Sequence, residues 1–260
     1  MVRKLEWKVI KRDCVSGLKQ LEDSTIDFVF ADPPYFLSNG GFSVSSGKQV
    51  SVNKGSWDSS KGFAEDLAFH KEWISAIKSK LTSNGSIAIS GTYHSIYKCG
   101  VVLEELGFRV LNEIIWFKPN GAPNIGGRSF AASHETVIWA SLNRQAKHTF
   151  NYLEMKHGDF SRDTLKNPGK QMRSVWSIPN TPQREKTSGR HPTQKPLALV
   201  ERFVLACTNP GDLIVDPFTG SGTTGVAAIT NGRNFLGFEV DEEYVKLARK
   251  RIGLAAKGEK

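Results

Sequence analysis

Asp32-Pro33-Pro34-Tyr35 is the stretch of this 260-residue chain whose residue types and spacing point most directly to chemistry. It follows the apolar run Ile26 to Ala31, which reads as a buried strand stopped by two prolines, because proline can neither continue a ladder nor enter a helix interior. A tight turn would need nothing more than Asp-Pro-Pro. The same residues also suit an attack by an exocyclic amine of a purine or cytosine, whose lone pair is delocalised into the ring. The Asp32 carboxylate and the Pro33 carbonyl could each accept one N–H and favour a pyramidal nitrogen with its lone pair free. Tyr35 could stack on a base flipped out of a duplex, since a base edge is reached only after extrusion.

A second constellation, Asp216-Pro217-Phe218-Thr219-Gly220-Ser221-Gly222-Thr223-Thr224-Gly225, falls where a short strand, Leu213 to Val215, hands over to a helix from Thr223 to Thr230. Gly220 and Gly222 permit a tight turn and close approach of a ligand to the backbone, and Asp216 can meet a cation or a hydroxyl at the strand's end. The glycines alone fit a structural turn or a nicotinamide cofactor. Without a lysine in the turn a P-loop is excluded, and the missing GxGxxG fingerprint argues against a nicotinamide oxidoreductase. The next strand, Asn234 to Phe238, ends in Glu239, where an acidic residue can bind the ribose hydroxyls of a nucleoside cofactor.

These residues need a scaffold, and hydrophobic periodicity supplies one. Helices are predicted over Glu65 to Leu81, His94 to Leu106 with Gly107 closing it, Leu197 to Ala206, Thr223 to Thr230 and Glu242 to Ile252. Strands are predicted over Ile26 to Ala31, Ser86 to Ser90 after an Asn84-Gly85 turn, Phe108 to Phe117, Glu135 to Ala140, Leu213 to Val215 and Asn234 to Phe238. The alternation implies an α/β fold, a mostly parallel sheet with helices on both faces. Two stretches break the rhythm. Between Phe36 and Trp57, twelve of twenty-two residues are Gly, Ser or Asn, which reads as a flexible loop beside Tyr35 that orders over a flipped base. Leu142 to Arg190 reads as an insert, dividing the chain into 1–141, 142–190 and 191–260.

Composition excludes other classes. With 39% hydrophobic and 23% charged residues the chain is neither disordered nor collagen-like nor disulfide-stapled. No window approaches the 18 apolar residues of a membrane span, and the charged start offers no signal-peptide core. Cys14, Cys99 and Cys207 lack metal-ligand or redox spacing, so no metal is expected and reduced thiols in the cytoplasm are. The net charge is +9, and Leu142 to Lys195 carries most of it, with eleven Lys or Arg against four acids. Phe150, Tyr152, His157, Phe160 and Trp176 interleave with these charges. The segment reads equally as a solvated surface or as a face that contacts nucleic-acid phosphates.

Taken together, DPPY at Asp32 to Tyr35, HPTQKP at His191 to Pro196 and FTGSGTTG at Phe218 to Gly225 resemble the signatures of S-adenosylmethionine-dependent amino-methyltransferases acting on DNA. Their order resembles the circularly permuted beta group, and the resemblance covers nearly the whole chain. More narrowly, DPPYFLSNGG followed by QVSVNKGSWD is similar to the second adenine methylases of GATC restriction-modification loci, which accept single-stranded DNA. The resemblance implies a permuted, Rossmann-like methyltransferase fold, with 142–190 as a target-recognition insert. It also implies DNA as partner, double- or single-stranded, and a possible homodimer.

Residue by residue, it places Asp32, Pro33, Pro34 and Tyr35 at the target amine. Asp216, Pro217, Phe218, Gly220, Ser221, Gly222, Thr223 and Thr224 would wrap the methionine part of the cofactor, with Lys195 near its carboxylate and Glu239 at its ribose. Asp13, with Cys14 beside it, matches the acidic position at the cofactor's adenine amine, although Arg12 stands where the family usually has glycine. His134 and Glu135 would head a strand lining the target pocket, with a core role for His134 equally open. An N4-cytosine methylase shares this logic but more often has Ser before Pro-Pro-Tyr, and a DNA-binding regulator without activity would share the fold. No separate base is expected, since the methylated amine can release its proton to Asp32 or water.

Overall fold

The structure, a computed structural model, describes residues 5–36, 42–45, 48–51, 58–121, 123, 127–160, 167, 169–189 and 191–259. The strands are β1 (Trp7–Lys11), β2 (Ile26–Ala31), β3 (Phe42–Ser45), β4 (Lys48–Ser51), β5 (Leu81–Gly91), β6 (Arg109–Phe117), β7 (His134–Ser141), β8 (Val175–Ser177), β9 (Leu213–Asp216) and β10 (Asn234–Glu239). The α-helices are α1 (Cys14–Leu18), α2 (Phe63–Lys78), α3 (Ile96–Glu105), α4 (Tyr152–His157), α5 (Leu197–Cys207), α6 (Thr223–Thr230) and α7 (Glu242–Ala256). Eight strands form one sheet in the order β1-β10-β9-β2-β5-β7-β6-β8. Within it β7 alone runs against its neighbours, β5 and β6, and the other pairs are parallel.

The alternation of side chains along β2 divides the core in two. Phe28 and Phe30 point into a cluster with Val200, Phe203, Ala227, Val245 and Ile252, from α5, α6 and α7. Val29 and Ala31 point the other way, against Trp73, Ile77, Cys99 and Leu103 from α2 and α3. A strand covered on both faces must be apolar at successive positions, which is why β2 reads as a continuous run. The chain leaves β9 through α6 toward β10 on one side and leaves β2 toward β5 on the other. Their C-terminal ends therefore meet where the strand order reverses, the place where an open α/β sheet leaves a crevice.

Local differences from expectation have local causes. Asn84 and Gly85 do not turn the chain; they are absorbed in β5, where the register steps from Ile26 opposite Leu81 to Phe28 opposite Ser86. A Cβ at Gly85 would lie 3.0 Å from the Ile26 carbonyl oxygen, so a glycine suits that irregularity. The expected flexible loop contains an antiparallel hairpin of β3 and β4, because Phe42-Ser43-Val44-Ser45 alternates with period two inside a Gly/Ser-rich stretch. The rest of that loop, 37–41, 46–47 and 52–57, lies outside the described residues.

The 142–190 segment contributes to the sheet and to the core. Its β8 pairs with β6, and Met155, Trp176 and Ile178 are buried. Trp176, expected among surface aromatics, packs at a tilt against Phe203, ring centres 4.9 Å apart, and under the Arg202 guanidinium at 4.7 Å, which the Phe160 ring also faces at 4.8 Å. Phe150 and Tyr152 remain exposed. Arg162, Asp163, Lys166 and Arg190 lie outside the described residues.

Candidate active site

A cavity of about 280 Å³ opens at the C-terminal ends of β2, β9 and β10. Of the residues expected at a site, Asp13, Cys14, Asp32, Pro33, Pro34, Tyr35, Lys195, Asp216, Pro217, Phe218, Gly220, Ser221, Thr223, Thr224 and Glu239 all line it. Gly222 does not. It caps α6 with a left-handed φ of +79°, and a Cβ there would meet Ala248 of α7 at 2.9 Å.

The glycine turn is held by the carboxylate that precedes it. Asp216 accepts the Phe218 N–H at 2.9 Å and the Thr224 hydroxyl at 2.6 Å, so the hydroxyl that it meets comes from its own turn. Burial raises the Asp216 carboxyl to about 7, against the lowering pull of these two bonds. An acid raised in the folded state destabilises that state as pH rises from its unfolded value to its folded one. Asp216→Asn is accordingly expected to stabilise the protein above pH 7 relative to pH 5, by about 1 kcal/mol or more and about 2–4 °C in Tm. Melting curves of both proteins from pH 5 to 8 check this, and parallel curves would refute it.

Opposite this turn, Glu239 accepts the Gly220 N–H on one oxygen and the Val240 and Asp241 N–H groups on the other. A carboxylate has about four acceptor positions, so with three N–H groups bound it can take about one donor more, such as a ribose hydroxyl. Asp13 caps α1 through the Ser16 N–H at 2.9 Å, and that hydrogen bonding holds its carboxyl below the usual range. Cys14 beside it is a buried thiol pushed up to about 12 by burial.

At the other end, Asp32 follows directly on β2. Its Oδ1 accepts the Tyr35 hydroxyl at 2.6 Å and its Oδ2 the Lys195 ammonium at 2.6 Å. Lys195, expected beside a cofactor carboxylate, thus sits at the DPPY end, also 3.4 Å from Glu135 and 5.1 Å from the centre of the Tyr35 ring. Burial raises the Asp32 carboxyl, with Lys195 opposing. For Glu135, burial is outweighed by Lys195 and Lys118, which bring its carboxyl down to about 2.

Sequence reasoning did not single out Asp58, whose one oxygen accepts the N–H groups of Tyr35 and Phe36 at 2.8 and 2.9 Å. That brace holds Phe36 at φ +59°, a left-handed conformation costly for a non-glycine residue. Asp58 closes the QVSVNKGSWD stretch, and nothing in its spacing marks it. His134 is exposed; it is neither in the core nor in the cavity lining. His191 and Gln194, from the HPTQKP motif, also line the cavity, as does Tyr244, which no motif marked; His191 lies edge-on to Tyr244 at 4.2 Å.

A switch-point cavity bounded by a glycine turn and an acidic strand end is the nucleoside-cofactor site of a Rossmann-like α/β enzyme. The profile of the DNA methylase family matches residues 26–250, and the chain belongs to that family. It is 47% identical over 245 residues to the Type II methyltransferase M2.DpnII of Streptococcus pneumoniae, a match that covers 94% of this chain and 88% of that protein. It is 45% identical over 249 residues to M2.LlaDCHI of Lactococcus lactis subsp. cremoris, covering 95% and 90%. Among solved structures, the M1.HpyAVI–SAM complex is similar at 29% identity and a TM-score of 0.69, covering 95% of this chain and all of that one. The PvuII cytosine-N4-specific DNA methyltransferase, at 20% identity and a TM-score of 0.71 over 98% and 94%, shows likeness of fold alone. The protein is a DNA methyltransferase that uses S-adenosylmethionine. The cavity fits that cofactor: apolar walls such as Phe30, Val200 and Phe238 lie between carboxylates at the two ends, suited to an elongated molecule that is cationic and carries a ribose.

Proposed function

We propose that the enzyme methylates the N6 amine of adenine within GATC, on duplex or single-stranded DNA, as the modification arm of a cytoplasmic restriction system. The observation that carries this reading is that one cavity has Asp32 and Tyr35 at one end and Asp13 and Glu239 at the other. The identity to M2.DpnII and M2.LlaDCHI supports the sequence context.

When bound, S-adenosylmethionine supplies an electrophilic methyl group on a sulfonium centre. Glu239 and Asp13 would hold the nucleoside end, by a ribose hydroxyl and the adenine amine, with Cys14 packed beside them. Asp216 keeps Pro217, Phe218, Gly220, Ser221, Thr223 and Thr224 in the shape that wraps the methionine end, and Gly222 lets α6 start close against α7. Asp32 and the Pro33 carbonyl each accept one N–H of the target amine, Pro34 keeps that pair rigid, and the Tyr35 ring stacks on the base. The amine then loses its proton to Asp32 or water.

In the test, random duplex and single-stranded oligonucleotides are treated with protein and labelled cofactor, and modified bases are mapped. Methyladenine concentrated in GATC is expected, and the mass of the active species in solution reports whether it is a homodimer. Adenines modified in another context would sink GATC, and label on DNA lacking adenine would make the enzyme a cytosine methylase. Exposed basic residues of 142–195 are proposed to bind phosphates. Affinity should therefore fall steeply with salt, by a log–log slope of about −0.9 per phosphate on duplex and about −0.7 on single strands. A nearly flat dependence would return that segment to a plain solvated surface.

A further inference from the structure

Glu135, expected to head a strand lining the target pocket, is not among the residues lining the cavity; it stands behind Tyr35 and Lys195, and no role above uses its carboxylate. Glu135 stands on the second residue of β7, and because β7 runs antiparallel to β5 its start lies at the same sheet edge as the C-terminal ends of β2 and β5. Its Oε1 accepts the Lys118 ammonium at 2.5 Å, and Lys118 in turn lies over the Trp116 ring at 4.4 Å. Its Oε2 faces the Tyr35 hydroxyl at 2.9 Å and the Lys195 ammonium at 3.4 Å.

Those are the two groups that now occupy Asp32. One Tyr35 proton faces two carboxylates, Asp32 Oδ1 at 2.6 Å and Glu135 Oε2 at 2.9 Å, and a phenol hydroxyl donates to only one at a time. Lys195 is bonded to Asp32 and lies a fraction of an ångström beyond bonding distance to Glu135. While both donors sit on Asp32, two of its acceptor positions are taken and its charge is offset by the ammonium, so it holds an arriving amine more weakly.

Resting on the functional reading above, we infer that Glu135 is a positioning residue that takes over Lys195 and the Tyr35 hydroxyl when Asp32 turns to the target amine. Two carboxylates and two ammonium groups are present before and after, so the buried site keeps its net charge while negative charge is uncovered on Asp32. Burial without paired charges would be costly, and Lys118 keeps Glu135 paired in both arrangements. The exchange needs no helix or strand to move.

The experiment compares Glu135→Gln, Tyr35→Phe and the double variant with the wild-type enzyme, measuring kcat and KM on oligonucleotides and cofactor affinity by calorimetry. Glutamine keeps the volume and one acceptor oxygen but cannot hold the ammonium as a carboxylate does. Glu135→Gln is expected to lower kcat roughly 10- to 100-fold, the weight of one charge-assisted hydrogen bond, with cofactor affinity and KM changed less than about threefold. The double variant should lose less than the product of the single losses, because both act through Asp32. A kcat within about threefold of wild type overturns the inference, and so does a fall in kcat matched by equal loss of cofactor affinity, which would make Glu135 a structural support. Absence of wild-type transfer to any DNA amine would overturn the functional reading first, a result distinct from either.

Discussion

Asp32→Asn should lower methyl transfer by about 10²- to 10³-fold while S-adenosylmethionine affinity stays within about threefold. Asparagine keeps the shape and one acceptor, but its NH2 must face either Tyr35 or Lys195, where the carboxylate accepted from both. Lys195 remains buried and retains Glu135 as its counter-charge, so the substitution alters the amine site without stranding a cation. The glycine turn is held independently by Asp216. Asp216→Ala should give the converse, with cofactor affinity reduced about tenfold or more, because the Phe218 N–H and Thr224 hydroxyl lose their common acceptor. Calorimetry with the cofactor alone and single-turnover transfer to DNA separate the two. Loss of affinity in Asp32→Asn as large as its loss of activity would show that Asp32 belongs to the cofactor site.

The second large effect is on stability. Gly222→Ala places a side chain on a left-handed backbone, at a cost of about 1–2 kcal/mol, and 2.9 Å from both the backbone and the methyl group of Ala248. The neighbour is part of a helix, not a flexible side chain, so α7 must shift with its buried Val245, Ala248 and Ile252. Overpacking of this kind adds about 1–3 kcal/mol. The expected fall in Tm is about 5–15 °C, and Ala248→Gly should recover only part of it, since the clash with the α7 backbone survives removal of the methyl group. An unchanged Tm with weakened cofactor binding would instead make Gly222 part of the ligand site.

The parts of the fold legible in the sequence are those with strong periodicity and firm punctuation. The limits of β2 and α6 are those read from the chain, because two prolines stop one and a glycine turn starts the other. The predicted helix from His94 became α3 from Ile96, closed by Gly107 at φ +76° as expected. The β3–β4 hairpin and β8 were not legible. The first is masked by composition, and the second is three residues long and owes its existence to the edge of β6. Trp176 shows the same limit, since an aromatic among charges reads as surface until Phe203 is found against it.

For the site, the sequence alone determined the residue types and the two motif ends, because Asp-Pro-Pro-Tyr and the glycine turn are local in the chain and their chemistry needs only near neighbours. Tertiary structure decided which charges those motifs meet. Lys195 lies 163 residues from Asp32 and Glu135 lies 100 from Tyr35, yet each pair is within hydrogen-bonding distance. Asp58 reaches back 23 residues to fix the Tyr35 backbone. Whether a carboxylate is raised or lowered depends on the water removed and the charges within a few ångströms, and neither quantity is a function of separation along the chain. The reversed direction of β7 is what brings Glu135 to the same edge as Asp32, and so what puts a second carboxylate within reach of Tyr35 and Lys195.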